Sequence, residues 1–313
     1  MNVCRICSGE GGAVYRVPEV MFGTRESYDY FQCRSCGCLQ IGQIPEDLSR
    51  HYTGAYYSFA APKLRKRSIR RALVDRWAYE GRGGPIGRLL YAHHPNADLR
   101  RFRDLRVRRD DPVLDVGCGN GQRVLDLVRA GFTRAEGIDA FLPADVVVEG
   151  RVIAHKKTLD AVTGAYKLIM LHHVLEHLPD QHGTLNAARD RLSPEGVLLL
   201  RIPTVSSAAW EHYREHWIQI DAPRHLYLHS VESLRALADA TGFSLQRIEY
   251  DSTEFQFWGS EQARRGIPLV RPGAPWDARV LPARERAALG RRVRRLNAEG
   301  RGDQLVAVLT LRP

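Results

Sequence analysis

The stretch Val113-Leu-Asp-Val-Gly-Cys-Gly-Asn-Gly121 decides the fold. An apolar strand ends at Asp115 and runs straight into Gly117, Gly119 and Gly121. Beyond the last glycine, Val124, Leu127 and Val128 recur at the spacing of one buried helical face. Strand, glycine loop and helix in that order form the part of an open α/β sheet where a nucleotide-like ligand sits. Glycines let the backbone approach the ligand closely, and the helix N-terminus offers free N–H groups to an anion.

The acid at the strand end selects among such ligands. A dinucleotide brings a pyrophosphate to this turn, and a carboxylate at Asp115 repels it. S-adenosylmethionine has no phosphate. Its ammonium and sulfonium suit a carboxylate, and its own carboxylate suits the N–H groups. The motif therefore favours S-adenosylmethionine over NAD. Arg134-Ala-Glu-Gly-Ile-Asp139 follows as a second short strand ending in an acid, 24 positions after Asp115. That is close to the ~20-residue spacing at which an acid meets a ribose hydroxyl.

On these residues, over 95–313, the chain resembles a class I S-adenosylmethionine-dependent methyltransferase. Val113 to Gly121 matches the glycine motif of that family and Gly137-Ile-Asp139 its second-strand acid. Leu168 to Pro179 looks like the fourth strand with its turn, and Ser193 to Pro203 like the turn and fifth strand. The resemblance implies a Rossmann-like α/β fold with a seven-stranded sheet, mostly parallel, the last strand antiparallel. It implies that Asp115, Gly117, Cys118, Gly119 and Gly121 line the methionine end of the cofactor. Asp139 would then hold both ribose hydroxyls, with Phe141 against the adenine. Asp160, beside Leu159, would accept from the adenine amino group, and His172 would face the reacting centre. Lys167 departs from the pattern, since many relatives carry Asp there, at a position remote from the cofactor.

Cysteine usage is the second strong signal. Cys4-Arg-Ile-Cys7 and Cys33-Arg-Ser-Cys36 are two C-x-x-C pairs with 25 residues between them. Two such knuckles supply four thiolates to a tetrahedral, structural zinc, and a closed four-cysteine site leaves no position for catalysis. Disulfides are the alternative, which a cytoplasmic setting disfavours, and Cys38, a spare thiol two residues further on, is a substitute ligand that the C-x-x-C spacing ranks behind Cys36. The segment between the knuckles, Tyr15 to Tyr30, reads as a loop with Met21, Phe22, Tyr28 and Tyr30 as packing or ligand-facing residues.

The chain has 313 residues, 44% of them apolar, enough for one large α/β domain and a small module. The expected division is a zinc ribbon over 1–50, a basic and partly helical linker over 51–94, and a methyltransferase domain over 95–313. Substrate-side insertions are expected at 204–228 and 255–301. No run approaches the ~18 apolar residues of a spanning helix. The N-terminus has no apolar run resembling a signal peptide, so a cytoplasmic protein is expected.

Basic clusters account for much of the net charge of +10. Lys63 to Trp77 reads as a helix, residues 98–109 add six arginines, and Arg291-Arg-Val-Arg-Arg295 forms a third cluster. Solvated helix faces are the plainest reading. Anionic partners such as nucleotide-sugar phosphates or an anionic membrane surface come next, and RNA third.

The acceptor side is expected on segments that follow the fourth and fifth strands. Thr204 to Arg224 holds Trp210, His212, Tyr213, His216 and Trp217, and Ala222-Pro-Arg-His-Leu-Tyr227 follows. That run, with Ser230 as a helix N-cap, resembles methyltransferases that carry an N-terminal zinc ribbon and are similar to enzymes modifying sugars in polysaccharide or natural-product pathways. The resemblance implies a small-molecule acceptor, a nucleotide sugar or glycan, methylated at oxygen or carbon. A hydroxyl acceptor needs a base, for which His225 is the first candidate and His173 and His172 the alternatives. His225 is equally open to a purely structural role in the loop of Tyr227. Glu176 and His177 read as braces of the turn. An RNA methyltransferase and a cofactor-binding scaffold without activity are the alternatives in function.

Overall fold

A computed structural model of the chain describes residues 2–52, 62–64, 68–270 and 280–312. Parts of the expected basic linker and of the expected 255–301 insertion lie outside the described residues. The first elements are β1 (Gly11–Pro18), β2 (Ser27–Cys33), β3 (Leu39–Ile41), α1 (Ile69–Glu80), α2 (Gly84–His93) and α3 (Ala97–Asp104). Then come β4 (Val113–Val116), α4 (Gln122–Arg129), β5 (Ala135–Ile138), β6 (Val146–Val148), β7 (Arg151–His155), β8 (Tyr166–His172) and α5 (Gln181–Arg189). The chain closes with β9 (Leu192–Pro203), α6 (Ala208–Tyr213), β10 (Tyr227–Leu228), α7 (Val231–Ala240), β11 (Phe243–Tyr250), α8 (Phe255–Arg264), α9 (Ala283–Ala298) and β12 (Gln304–Leu311). Among the described residues no helix is long and apolar enough to cross a membrane.

The chain divides into two compact units. One comprises Gly54–His172 with Asp190–Leu198, the other Met1–Thr53, His173–Arg189 and Leu199–Pro313. The strand β9 contributes its first part to the former and its second part to the latter.

In the unit that holds the glycine motif the strand order is β9-β8-β4-β5-β7-β6. β4 lies parallel between β5 and β8, with Asp115 opposite Gly137 on one side and Met170 on the other. β4 is buried throughout, and β8 from Leu168 to Leu171, as parallel strands covered on both faces require. Helix α4 buries Val124, Leu125 and Leu127. β6 pairs antiparallel with β7 at the edge of this order. It is a short valine strand that the seven-strand expectation does not include, and with it the strands of this order and of β11-β12-β9 number eight.

In the other unit, β1, β2, β3 and β10 form a four-stranded sheet, and β11-β12-β9 is the second strand order. β11 and β12 are antiparallel, which is the antiparallel last strand of the expectation. Half of the segment Tyr15 to Tyr30, expected as a loop, lies in β1 and β2, which pair antiparallel. Tyr30 and Phe31 fill the interior of that sheet at 0% and 1% exposure. Met21 packs with Ile218, Ala263 and Leu269, and Phe22 lies against that cluster. Ser230 caps α7, accepting from the N–H of Ser233 at 2.9 Å, and its hydroxyl donates to the carbonyl of Cys36.

Candidate functional site

The glycine loop is shaped by positive φ at Gly117 (67°), Gly119 (52°) and Gly121 (74°), a region that side chains with a Cβ avoid. The N–H groups of Gly117 and Cys118 donate to the carbonyl of Ile138, at 2.8 and 3.1 Å. Gly137 is also required: a Cβ there would stand 2.6 Å from Sγ of Cys118. Asp139 ties the loop to the second strand. Its Oδ2 accepts from the N–H of Gly119 at 3.0 Å, and its Oδ1 from the N–H of Phe141 at 2.9 Å.

Asp115 is 3% exposed. Burial pushes its carboxyl up to about 7, partly offset by the nearby positive charge of Arg123. Nε of Arg123 stands 3.9 Å from its Oδ2. Burial likewise pushes the Cys118 thiol up, with Asp115 and Asp139 adding to the effect, so this thiol is a neutral loop residue. Phe141 is 82% exposed, an aromatic face left open beside Asp139. Leu159 is buried and Asp160 exposed, both on a 3₁₀ turn (Leu159–Ala161) after β7. His172 ends β8 with both ring nitrogens buried. A desolvated carboxylate, a glycine turn that admits close approach of a ligand, an acid at the second strand end and an open aromatic face fit S-adenosylmethionine.

The four knuckle cysteines converge. Sγ of Cys4 lies 3.7 Å from that of Cys36, and Sγ of Cys7 lies 3.5 Å from that of Cys33. Sulfurs at about 2.3 Å around a tetrahedral zinc stand about 3.8 Å apart, so the donor set and its spacing fit the metal. Hydrogen bonding from Cys36 lowers the Cys4 thiol to about 4, against the opposing effect of burial. Gln40 Nε2 also donates to Cys4 Sγ, at 3.0 Å. Cys38 is fully buried with its Sγ directed to the carbonyl of Leu39, and it is not one of the four converging thiols.

The histidines proposed for the acceptor side have individual settings. His225 is 6% exposed, and its Nδ1 is 2.7 Å from the carbonyl of Gln219. Its ring meets that of His177 edge-on at 4.6 Å. Nδ1 of His177 lies 2.9 Å from the carbonyl of Arg224, and burial lowers this histidine to about 4. Nδ1 of His173 is 3.2 Å from Oε1 of Glu176, and its Nε2 accepts from Arg201 at 2.8 Å. Glu176 is 1% exposed; burial alone would raise it, but interactions with the surrounding histidines, led by the hydrogen bond from His173, hold it down to about 2.

Two features escape a reading of the sequence. Glu176, His177 and His225 come together, one ligand atom from each lying within 4.8 Å of the others. The signal that finds part of this cluster is the adjacency of Glu176 and His177 just after a buried strand. The run Pro223 to Tyr227 is built into the ribbon sheet. Tyr227 pairs with Gln40, the hydroxyl of Tyr30 donates to the carbonyl of His225 at 2.8 Å, and Nη1 of Arg224 lies 3.7 Å from Glu19. Arg224 and Glu19 both have 0% side-chain exposure, and Asp221 pairs with the same guanidinium.

A family model described as a methyltransferase domain matches residues 90–248, half of the chain. The ubiquinone biosynthesis O-methyltransferase, mitochondrial, of Saccharomyces cerevisiae is 30% identical over 119 residues. That match covers 34% of this chain and 38% of the yeast protein's length. Similar solved structures include the O-methyltransferase of a trans-AT PKS multienzyme of Brevibacillus brevis in complex with S-adenosyl-L-homocysteine. It has 16% identity and a TM-score of 0.42, with 82% of this chain and 83% of that one covered. Another is the complex between the Haloferax volcanii Trm112 methyltransferase activator and the putative methyltransferase. It has 16% identity and a TM-score of 0.42, with 80% of this chain and 100% of that one covered.

Proposed function

The chain belongs to the methyltransferase-domain family, and from that premise we propose that it transfers the methyl group of S-adenosylmethionine to a hydroxyl of a small-molecule acceptor. A sugar or glycan precursor is the acceptor class we put first. The observation that carries the cofactor reading is Asp139, whose two carboxylate oxygens hold the N–H groups of Gly119 and Phe141 and so set the second-strand acid at the glycine loop. The choice of oxygen is supported by the yeast relative, an O-methyltransferase by name. The sugar class rests on the resemblance of the ribbon and of Pro223 to Tyr227 to enzymes of that kind.

S-adenosylmethionine, when bound, supplies a methyl group already activated on a sulfonium. Asp115 meets its ammonium, and the glycine turn lets the backbone approach its methionine end closely. Asp139 accepts from the ribose hydroxyls, Phe141 covers the adenine, and Asp160 with Leu159 borders the base. The chain's remaining task is to align the acceptor and exclude water. A hydroxyl must also give up its proton, and we place that event at Glu176, His177 and His225, with His225 the residue to vary first. His173 positions Glu176 through its Nδ1–H. Cys4, Cys7, Cys33 and Cys36 hold a structural zinc that staples the ribbon of residues 1–50.

The test is to incubate the zinc-loaded protein with S-adenosylmethionine and a panel of nucleotide sugars and glycan precursors, following S-adenosylhomocysteine release. Acceptor-dependent release that falls in His225→Ala supports the reading. Turnover on RNA alone, steeply reduced by salt, replaces it with RNA methylation.

A further inference from the structure

We propose that Glu176, His177 and His225 form a second metal site, selective for a borderline divalent cation such as zinc and separate from the four cysteines. The inference deepens the reading that acceptor deprotonation occurs at these residues, and it rests on that reading for its role in catalysis.

Three observations carry it. One ligand atom from each residue lies within 4.8 Å of the other two. Both histidines are already oriented as metal ligands are. Nδ1 of His177 faces the carbonyl of Arg224 at 2.9 Å, with the Tyr52 hydroxyl also at 3.1 Å, and Nδ1 of His225 faces the carbonyl of Gln219 at 2.7 Å. A carbonyl only accepts, so the proton of each ring is on Nδ1 and the lone pair is on Nε2. Finally, Oε2 of Glu176 is buried with no hydrogen-bond partner among the described residues, in a residue only 1% exposed. The other oxygen is fixed by His173, which Arg201 and Asp251 hold in turn, at 2.8 and 3.0 Å.

Among the described residues the cluster therefore gathers two imidazole lone pairs and one carboxylate oxygen, with the Asp221 carboxylate 3.8 Å from Nε2 of His225. A buried acceptor left without a donor costs about 1–3 kcal/mol, more when it is charged. A single proton satisfies one pair and leaves the third atom bare. A cation satisfies all three. Two imidazoles and one carboxylate make a three-ligand set that suits zinc and keeps a fourth position open. A hydroxyl entering the open position would meet a Lewis acid that lowers its pKa, so that its proton passes to bulk water as the oxygen takes the methyl group and the sulfonium C–S bond breaks; His225 would then act as a ligand and not as the base.

The test is metal content, read independently of turnover. Full-length protein is equilibrated with excess zinc, dialysed and measured by mass spectrometry. The wild type should hold two zinc ions per chain, one on each candidate set. Glu176→Gln and His225→Ala should each hold one. Cobalt replacement checks that both variants are folded: the intense sulfur-to-cobalt bands of the cysteine site stay, and only the weak ligand-field absorption of the second cobalt is lost. A wild type with one zinc per chain and a saturated cysteine site overturns the inference, as do two ions retained in both variants. The reading of the acceptor side is judged separately. One zinc with a His225→Ala variant that no longer turns over leaves His225 as a direct base, whereas full turnover in His225→Ala removes deprotonation from this cluster.

Discussion

Nη1 of Arg201 donates to Nε2 of His173 at 2.8 Å. With its Nδ1 on Glu176 at 3.2 Å, both ring nitrogens of His173 are engaged, and Asp251 holds the arginine at 3.0 Å. His173 also sits at φ 55°, in the left-handed region. It is therefore a positioning residue, although it is one of three histidines that the sequence offers as a base. His173→Asn keeps a residue that tolerates that backbone. It should lower kcat by about tenfold, in the range of other outer-shell partners, and leave the pH at which activity falls off unchanged. Loss of that pH limb would make His173 the base.

Asp115 makes cofactor affinity depend on pH. Burial pushes its carboxyl up to about 7, so it is partly protonated near neutrality and must ionise to meet an ammonium. Affinity for S-adenosylhomocysteine should rise with pH up to about 7 and level off above it, and Asp115→Asn should bind more weakly with a flatter profile. Calorimetric titrations across that range check this. A flat profile in the wild type contradicts it.

His229 makes the fold sensitive to acid. It is 1% exposed, lies 2.8 Å from Gln181 and 2.9 Å from Ser233, and burial lowers it to about 4. The unfolded chain takes up this proton near pH 6.5, the native chain only near 4. Stability is therefore fully present above 6.5 and is lost as pH falls toward 4, on the order of 3 kcal/mol from this group. Denaturant melts of the wild type and His229→Asn should show a shallower acid loss in the variant. Equal slopes would remove His229 as the cause.

Zinc and the acceptor-side run should be coupled. β3 follows the second knuckle directly and pairs with β10, and Ser230 donates to the carbonyl of Cys36. Cys33→Ser should release zinc and lower the melting temperature, at about 2–4 °C per kcal/mol for a unit of this size. Cys38→Ser should keep the metal, since Cys38 is directed to the carbonyl of Leu39. Zinc retained in Cys33→Ser would show a different ligand set.

The glycine loop and Asp139 were legible because strand, turn and helix signals are local and each needs a specific residue type. The cysteine pairs and the Ser230 cap were legible for the same reason. β6 was not, since three valines at a sheet edge carry no periodicity. The pairing of β10 with β3, and of Arg224 with Glu19 across 205 positions, is tertiary contact that spacing does not encode. The cluster of His225 with Glu176 and His177 escapes for that reason too: it joins a turn after β8 to a run ahead of β10.

The most direct test of the central claim is a calorimetric titration of zinc-loaded wild type and Asp139→Ala with S-adenosylhomocysteine, with NAD as control. The wild type should bind S-adenosylhomocysteine at micromolar concentration and NAD not at all. Asp139→Ala should bind more weakly by about 1–3 kcal/mol, the cost of losing a hydrogen bond to a charged group. Equal affinity in the variant, or no binding by the wild type, would contradict that claim.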